Sequence, residues 1–474
     1  MENGACRSGM DRVLYFFEEI SRFPRRSYVT EPIAEYLCHF ARERGLFFLR
    51  DAADNVIIKK AASKGFEAKD AVILQAHTDM VFVQADPRAV HDESAGICLQ
   101  RNGDALSAAG TSLGADDGIG MAYILAILDD KTLLHPAIEA VFTSNEEVGL
   151  LGATALDASA LSGKMLINLD SDEEGNFTVG CAGGSTATLT IPFEKRTERK
   201  CRALTLSGLP GGHSGADIHR GIANAILLLF SMLEALGEKV SLELAEISGG
   251  EASNAIPAFA SARFYCEMKN EEIEVICKAV CAACGENLGD AAITLAEDDA
   301  RPCLEVEKSR ALIRHILDLP RGILAMEQNL AGLPETSLNL GKIETSESEI
   351  VLSYSLRSSV DQKCRALENA LRDTIEKIGG KAEIDGVYPA WEFKKESRLR
   401  EACLAVFRRR YKKEAMVSVI HAGLECGILA KKIPGLDCIS FGPDNRCIHT
   451  VDETLSLSSA EAVYDCLTEV LASL

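Results

Sequence analysis

The chain of 474 residues opens with two stretches of helical periodicity. Apolar residues at Val13, Leu14, Phe16, Phe17 and Ile20, and again at Ile33, Leu37, Phe40 and Ala41, recur at three- and four-residue spacing, with Phe23-Pro24 as a break between them. Beyond these the pattern changes to short continuous apolar runs at 71–75, 137–143, 164–169, 416–420 and 437–441. Such runs predict strands buried on both faces. The segment 120–128, between the first two, predicts a helix. Strands that alternate with helices in this way predict an α/β fold with a mostly parallel sheet.

Between about 184 and 389 the texture differs. Alternating strands at 186–193, 202–206, 261–268 and 350–357 are separated by helices such as 223–236. The order strand, strand, helix, twice over, predicts an α+β insertion with an approximate internal duplication. Residues 1–184 and 390–474 would then be two parts of one discontinuous domain, with 185–389 inserted.

Composition narrows the partners. The chain has 50 Lys and Arg against 71 Asp and Glu, a net charge of −21, which repels phosphate backbones and excludes a nucleic-acid role. No apolar stretch reaches the roughly 18 residues of a membrane span, and the segment Met1 to Arg12 has no apolar signal core. The expectation is a soluble cytoplasmic protein without a membrane partner. Sixteen cysteines are spread along the chain, mostly inside apolar runs (Cys38, Cys98, Cys266, Cys438), as expected of free buried thiols in a reducing compartment.

The chemistry follows the ends of the predicted strands. The run 72–76 leads into His77 and Asp79; 138–142 leads into Glu146 and Glu147; 165–169 leads into Asp170; 438–441 leads towards His449. Carboxyl ends of strands form the binding crevice of open α/β sheets, so these runs deliver imidazoles and carboxylates to one place. That is a ligand set for divalent ions. A pair of ions needs a shared carboxylate, for which Asp116, just before the 120–128 helix, is the candidate. His77 and Asp79 share a face of an extended segment, so the aspartate can orient the imidazole. Glu146 and Glu147, taken as neighbours in extended chain, point opposite ways, so one can ligate while the other acts as a base. A different chemistry is suggested by Cys277, Cys281 and Cys284, whose C-x-x-x-C-x-x-C spacing occurs in iron–sulfur enzymes. With Ile273, Ile276 and Val280, however, they form one apolar helix face ending at Gly285, and the helix reading is preferred.

Residues 17–25 (FEEISRFPR), 74–81 (LQAHTDMV), 110–120 (GTSLGADDGIG), 167–171 (INLDS), 180–184 (GCAGG), 211–215 (GGHSG) and 421–427 (HAGLECG) together resemble the dinuclear zinc exopeptidase family that includes aminoacylase, carnosinase and peptidase T. The resemblance implies that family's fold with an inserted lid domain, and metal-dependent hydrolysis of small peptides, dipeptides such as beta-alanyl-histidine first. It implies two divalent ions, zinc foremost, with cobalt or manganese also suited. Asp116 would bridge them, with His77 and Asp170 at one ion and Glu147 and His449 at the other. Glu146 would be the general base and Asp79 would orient His77. His213, Asn254 and Arg357, in the insertion, would hold the substrate, Arg357 through its carboxylate. The insertion often mediates homodimerisation in the broader family. The chain departs from the family pattern at Asp117, where Asn is common, at Asn145, where Asp is common, and at 221–225 (GIANA), in place of an Arg-containing segment. A related hydrolase of N-acyl amino acids or tripeptides, and a binding protein without catalysis, are the alternatives.

Overall fold

The computed structural model describes residues 9–86, 96–194, 197–327 and 332–474; the first eight residues of the Met1 to Arg12 segment, and with them Cys6, lie outside. The chain divides into two compact units. One comprises Met1–Cys181, Phe393–Val419 and Leu424–Leu474, the other Ala182–Glu392 and Ile420–Gly423. Seven residues of the segment 390–474, namely 390–392 and Ile420–Gly423, therefore group with the inserted region.

The first unit is built on an eight-stranded sheet in the order Phe47–Arg50, Val56–Lys60, Ile138–Thr143, Val72–His77, Met165–Asn168, Asp437–Ser440, Asn176–Cys181, Met416–Ile420. The four strands from Ile138–Thr143 to Asp437–Ser440 pair in parallel, and the edge strand Met416–Ile420 runs parallel to Asn176–Cys181, with the Met416 amide on the Gly175 carbonyl and the Ala182 amide on the Ile420 carbonyl. Phe47–Arg50 and Val56–Lys60 join antiparallel at one edge, and Asn176–Cys181 runs antiparallel to Asp437–Ser440, so antiparallel pairings flank the expected parallel core. The parallel strands are the continuous apolar runs, and Val72–His77 and Ile138–Thr143 are buried at every position. Helix Ala115–Asp129, apolar all round, packs on strand Val72–His77 and on helix Gly9–Ile20. Phe16, Phe17, Leu74, Ile124 and Leu467 in this core are almost fully buried, each burial being worth about 1.5–3 kcal/mol.

The second unit is a nine-stranded antiparallel sheet with its helices gathered over a separate core. Two copies of a β-α-β-β-α-β unit compose it. One runs Thr197–Ser207, Ala225–Gly237, Leu242–Gly249, Ala260–Cys266, Asn270–Ala283, Ala292–Cys303. The other takes strand Gly183–Pro192, then Val306–Asp318, Pro334–Thr345, Glu349–Ser358, Asp361–Glu376, Lys381–Tyr388. The first copy is thus threaded into the second after its opening strand. The copies join edge to edge where Gly249 pairs with Ile343. Helix Asn270–Ala283 carries Cys277 and Cys281 on its apolar side and ends at Cys284, its C-cap, with Cys277 buried and its thiol pushed up to about 12 by burial; this is a packed helix face, and no loop wraps a cluster there. None of the cysteines among the described residues is disulfide-bonded, and no described helix is long and apolar enough to cross a membrane.

Candidate metal centre

His77 is the last residue of strand Val72–His77. The parallel neighbours bring up Glu146 and Glu147 after Ile138–Thr143, and Asp170 after Met165–Asn168. The 146–147 pair stands in a tight turn and not in the extended segment expected from the sequence: Asn145 (φ 50°) and Leu150 (φ 58°) are left-handed, and the amides of Gly149 and Leu150 donate back to the Glu146 carbonyl. Asn is among the few non-glycine residues that take this conformation readily, and the Asn145 side chain accepts the Tyr28 amide at 2.6 Å. Both features suit Asn at this position.

Asp116 has one oxygen for each of two donor groups. Its Oδ1 lies 3.0 Å from His77 Nε2, which is also 3.8 Å from Asp170 Oδ1. Its Oδ2 lies 3.1 Å from His449 Nε2, which is 2.8 Å from Glu147 Oε1. His77 with Asp116 and Asp170, and Asp116 with Glu147 and His449, each offer donor atoms within 4.8 Å of one another; so do His77, Glu146 and Glu147. Helix Ala115–Asp129 is interrupted at its start, where Asp116 (φ −82°, ψ 110°) and Asp117 (φ −104°, ψ 35°) leave helical geometry and share a cis peptide. Asp116 is therefore presented from an irregular turn and not from a helix N-cap.

The supporting contacts are specific. Asp79, wholly buried, accepts the Glu146 amide at 2.9 Å and the Ser27 hydroxyl at 2.8 Å. His77 Nδ1 is 3.1 Å from the Asp79 carbonyl and 3.7 Å from its carboxylate, so the main chain of Asp79 is the nearer partner of the ring. Asp117 accepts the amides of His77 and Gly120, each at 3.2 Å. Burial and the charge of Asp170 push Asp117 up, towards a neutral side chain like the Asn common at that position. Burial and Asp170 likewise raise Glu146, against the pull of His77. Burial raises Asp170 too. Carboxylates crowded in this way, with imidazoles interleaved, are costly unless a cation neutralises them. The mixed nitrogen and oxygen donors fit divalent ions of the zinc, cobalt and manganese kind.

Three polar residues around the cluster were given no role by the sequence, although Glu425, like Arg25, lies in a motif that carried the resemblance. Glu425 is wholly buried, accepts from Gln75 at 2.5 Å and Thr143 at 2.6 Å, and is pushed up to about 7 by burial. Arg25 and Glu453 grip the turn that bears Asp116. Position 25 lies in a motif that carried the resemblance, and Glu453 stands four residues after His449.

The second unit contains its own convergence. His213 Nδ1 accepts the amides of Gly215 at 3.3 Å and Ala216 at 3.1 Å, which leaves the hydrogen of the neutral ring on Nε2. Burial and the Arg357 charge lower its pKa, favouring that neutral form. Nε2 faces Arg357 Nη2 at 3.4 Å, two donors side by side. Arg357 is only 6% exposed, its Nη1 reaches the Tyr388 hydroxyl at 3.0 Å and its Nε has no partner. Such convergent donors form a receptor for an anion. His213 and Asn254 are brought close by the short pairing of Gly212–His213 with Ala255–Ile256, and the Ser214 amide donates to the Asn254 carbonyl at 2.8 Å. Asn254 itself is exposed.

Known proteins share this architecture. Residues 73–473 match Peptidase family M20/M25/M40. The chain is 34% identical over 468 residues to the cytosol non-specific dipeptidase of Escherichia coli (strain K12), covering 96% of each chain. It superposes with a TM-score of 0.87 on the crystal structure of aminoacylhistidine dipeptidase from Vibrio alginolyticus, at 34% identity, covering 98% of this chain and 96% of that one. With the aminopeptidase PepT of Bacillus cereus ATCC 10987 it shares the fold, at a TM-score of 0.59 and 17% identity, covering 98% of each chain. With that match over most of its length and a donor cluster at the strand ends, the chain belongs to peptidase family M20/M25/M40.

Proposed function

We propose that the chain is a metal-dependent dipeptidase that cleaves dipeptides with a free carboxylate, beta-alanyl-histidine among them. The observation that carries this reading is Asp116, whose two oxygens face two separate groups of donors. The relatives named as dipeptidases at 34% identity support the substrate class. Zinc is the proposed ion, replaceable by cobalt or manganese, and the cytoplasm the proposed location. His77, Asp116 and Asp170 would hold one ion, and Asp116, Glu147 and His449 the other. When bound, the ions supply Lewis acidity towards the scissile carbonyl and lower the pKa of water.

The remaining work falls to the chain's own groups. Glu146 takes the proton of the attacking water and passes it to the leaving amine. Asp79 fixes Glu146 through its amide and His77 through its own carbonyl. Arg357 holds the substrate carboxylate, and the His213 Nε2 hydrogen supports the negative charge that develops on oxygen. Asn254 is placed among the groups that hold the peptide.

A panel of dipeptides, tripeptides and N-acyl amino acids, assayed with and without a chelator, tests the reading. Dipeptides should be cleaved, with activity lost to the chelator and regained with zinc, cobalt or manganese. Preference for N-acyl amino acids would make the chain a deacylase, and turnover of no member would make it a binding protein.

A further inference from the structure

The turn that presents Asp116 is held on both sides by side chains from distant parts of the sequence. Glu453 is 2% exposed. Its Oε2 accepts the amides of Leu113 and Gly114, each at 2.8 Å; its Oε1 accepts those of Ala115 at 2.9 Å and Asp116 at 3.3 Å, and the Asn445 side chain at 3.3 Å. Five donors thus meet one carboxylate, four of them successive backbone amides up to 340 residues away. From the other side Arg25, also 2% exposed, donates through Nη2 to the Gly114 carbonyl, and its Nη1 lies 3.4 Å from the Asp79 carbonyl. Gly114 (φ 69°) permits this approach, since a Cβ there would meet Arg25 Nη2 and Met80 Sδ.

Glu453 also belongs to the element that carries His449. Asn445 pairs with Leu455 and Arg446 with Thr454; the loop between holds His449 in a left-handed conformation (φ 63°), and Glu453 stands beside its closing strand. One side chain therefore joins the His449 loop to the Asp116 turn. None of the donor groups of the cluster includes it.

We infer that Glu453 is a positioning residue of the metal centre: it sets Asp116 against His449, so that the two come into register through one buried carboxylate. The inference rests on the proposed metal reading. A carboxylate suits the task because it has no hydrogen to turn towards the amides. Glutamine at this position keeps the size but aims an NH2 group at backbone donors.

The test compares the full-length wild type with Glu453→Gln, Glu453→Asp and a control, Glu139→Gln. Glu139 is likewise buried and accepts backbone amides, those of Ser162 and Gly163, but in the body of the first unit's sheet. Zinc affinity is measured by competition with a chromophoric chelator, the site by the visible spectrum of the cobalt form, and turnover by kcat and KM separately. Glu453→Gln should bind zinc about 10–100-fold more weakly, alter the cobalt spectrum, and lower kcat with little change in KM. Glu139→Gln should lower the melting temperature and keep both ions and spectrum. Failure of the wild type to bind zinc would remove the metal reading itself. A folded Glu453 variant with wild-type affinity and spectrum would overturn the positioning role alone. Should Glu453→Gln not fold, Glu453→Asp, which keeps the charge and shortens the reach, is read in the same way; if neither folds, the carboxylate is structural and the inference is likewise overturned.

Discussion

His449 is pushed up to about 10 by its hydrogen bonds to Asp116 and Glu147, against the opposing effect of burial. His77 also ends well above the ordinary imidazole range, because Asp116 and Asp79 outweigh its complete burial. Without ions the His449 ring therefore holds a proton at neutral pH, and an imidazolium cannot ligate. Ion binding must release that proton, so apparent zinc affinity rises with pH, tenfold per unit for each proton released. Between pH 6 and 8 a slope of at least one is expected, with the proton count read by calorimetry in buffers of different ionisation enthalpy; affinity independent of pH would contradict it. For the proposed base, Glu146→Gln should cost about 10²–10⁴-fold in kcat while zinc content stays at two ions per chain, and full activity would end that assignment. At this scale the convergence of His77, Asp116, Glu147, Asp170 and His449 was legible, since each follows an apolar run or precedes a helix. The roles of Glu453 and Arg25 were not, because the partners that define them are main-chain amides and carbonyls, which are the same in every sequence.

Elements of the second unit show what a strand can do besides fill a core. Strand Pro334–Thr345 is buried along most of its length yet carries Glu335, Thr336, Ser337 and Asn339. Its polar pattern hid it from hydropathy reading, whereas Ala260–Cys266, with buried positions alternating, was plain. Edge strand Ala292–Cys303 was hidden for the opposite reason, being mostly exposed and acidic. The polar residues on Pro334–Thr345 have partners: Asn339 Nδ2 donates to the carbonyls of Ser253 at 3.1 Å and Ala255 at 2.8 Å. Those residues flank Asn254, and Ala255 pairs with His213. Asn339→Ala leaves two carbonyls without this donor, at about 1–3 kcal/mol, and frees the segment that aligns His213 and Asn254. The expected result is a rise in KM of about tenfold with zinc stoichiometry unchanged. A loss of zinc instead would show that this clamp serves the metal centre.

Across the whole molecule, the discontinuous arrangement could be read from the change of texture near 184 and 389. The threading of one β-α-β-β-α-β copy into the other could not, because strand order depends on which edges pair. The charge of −21 argued against a nucleic-acid role but says nothing about how each unit responds to acid, which rests on single buried groups. In the second unit that group is His421, buried with its Nε2 at 2.6 Å from the Ser337 hydroxyl. Burial, then the charges of Arg357, His213 and His219, lower its pKa from 6.5 to about 4. Below pH 6.5 the unfolded chain binds a proton there that the folded chain refuses down to about pH 4. Stability is therefore complete above 6.5 and falls as pH drops through this window, by about 1.4 kcal/mol per unit at most and about 3 kcal/mol in all. The chain's single tryptophan, Trp391, is buried in the same unit, so its fluorescence during urea unfolding reports that unit. The wild-type midpoint should fall between pH 7 and 5, and His421→Gln, which keeps a nitrogen for Ser337 but does not titrate, should flatten the fall. Loss of zinc with acid should be the same in both proteins, because His77 and His449 belong to the other unit. Parallel midpoints in wild type and His421→Gln would remove His421 as the acid-sensitive group.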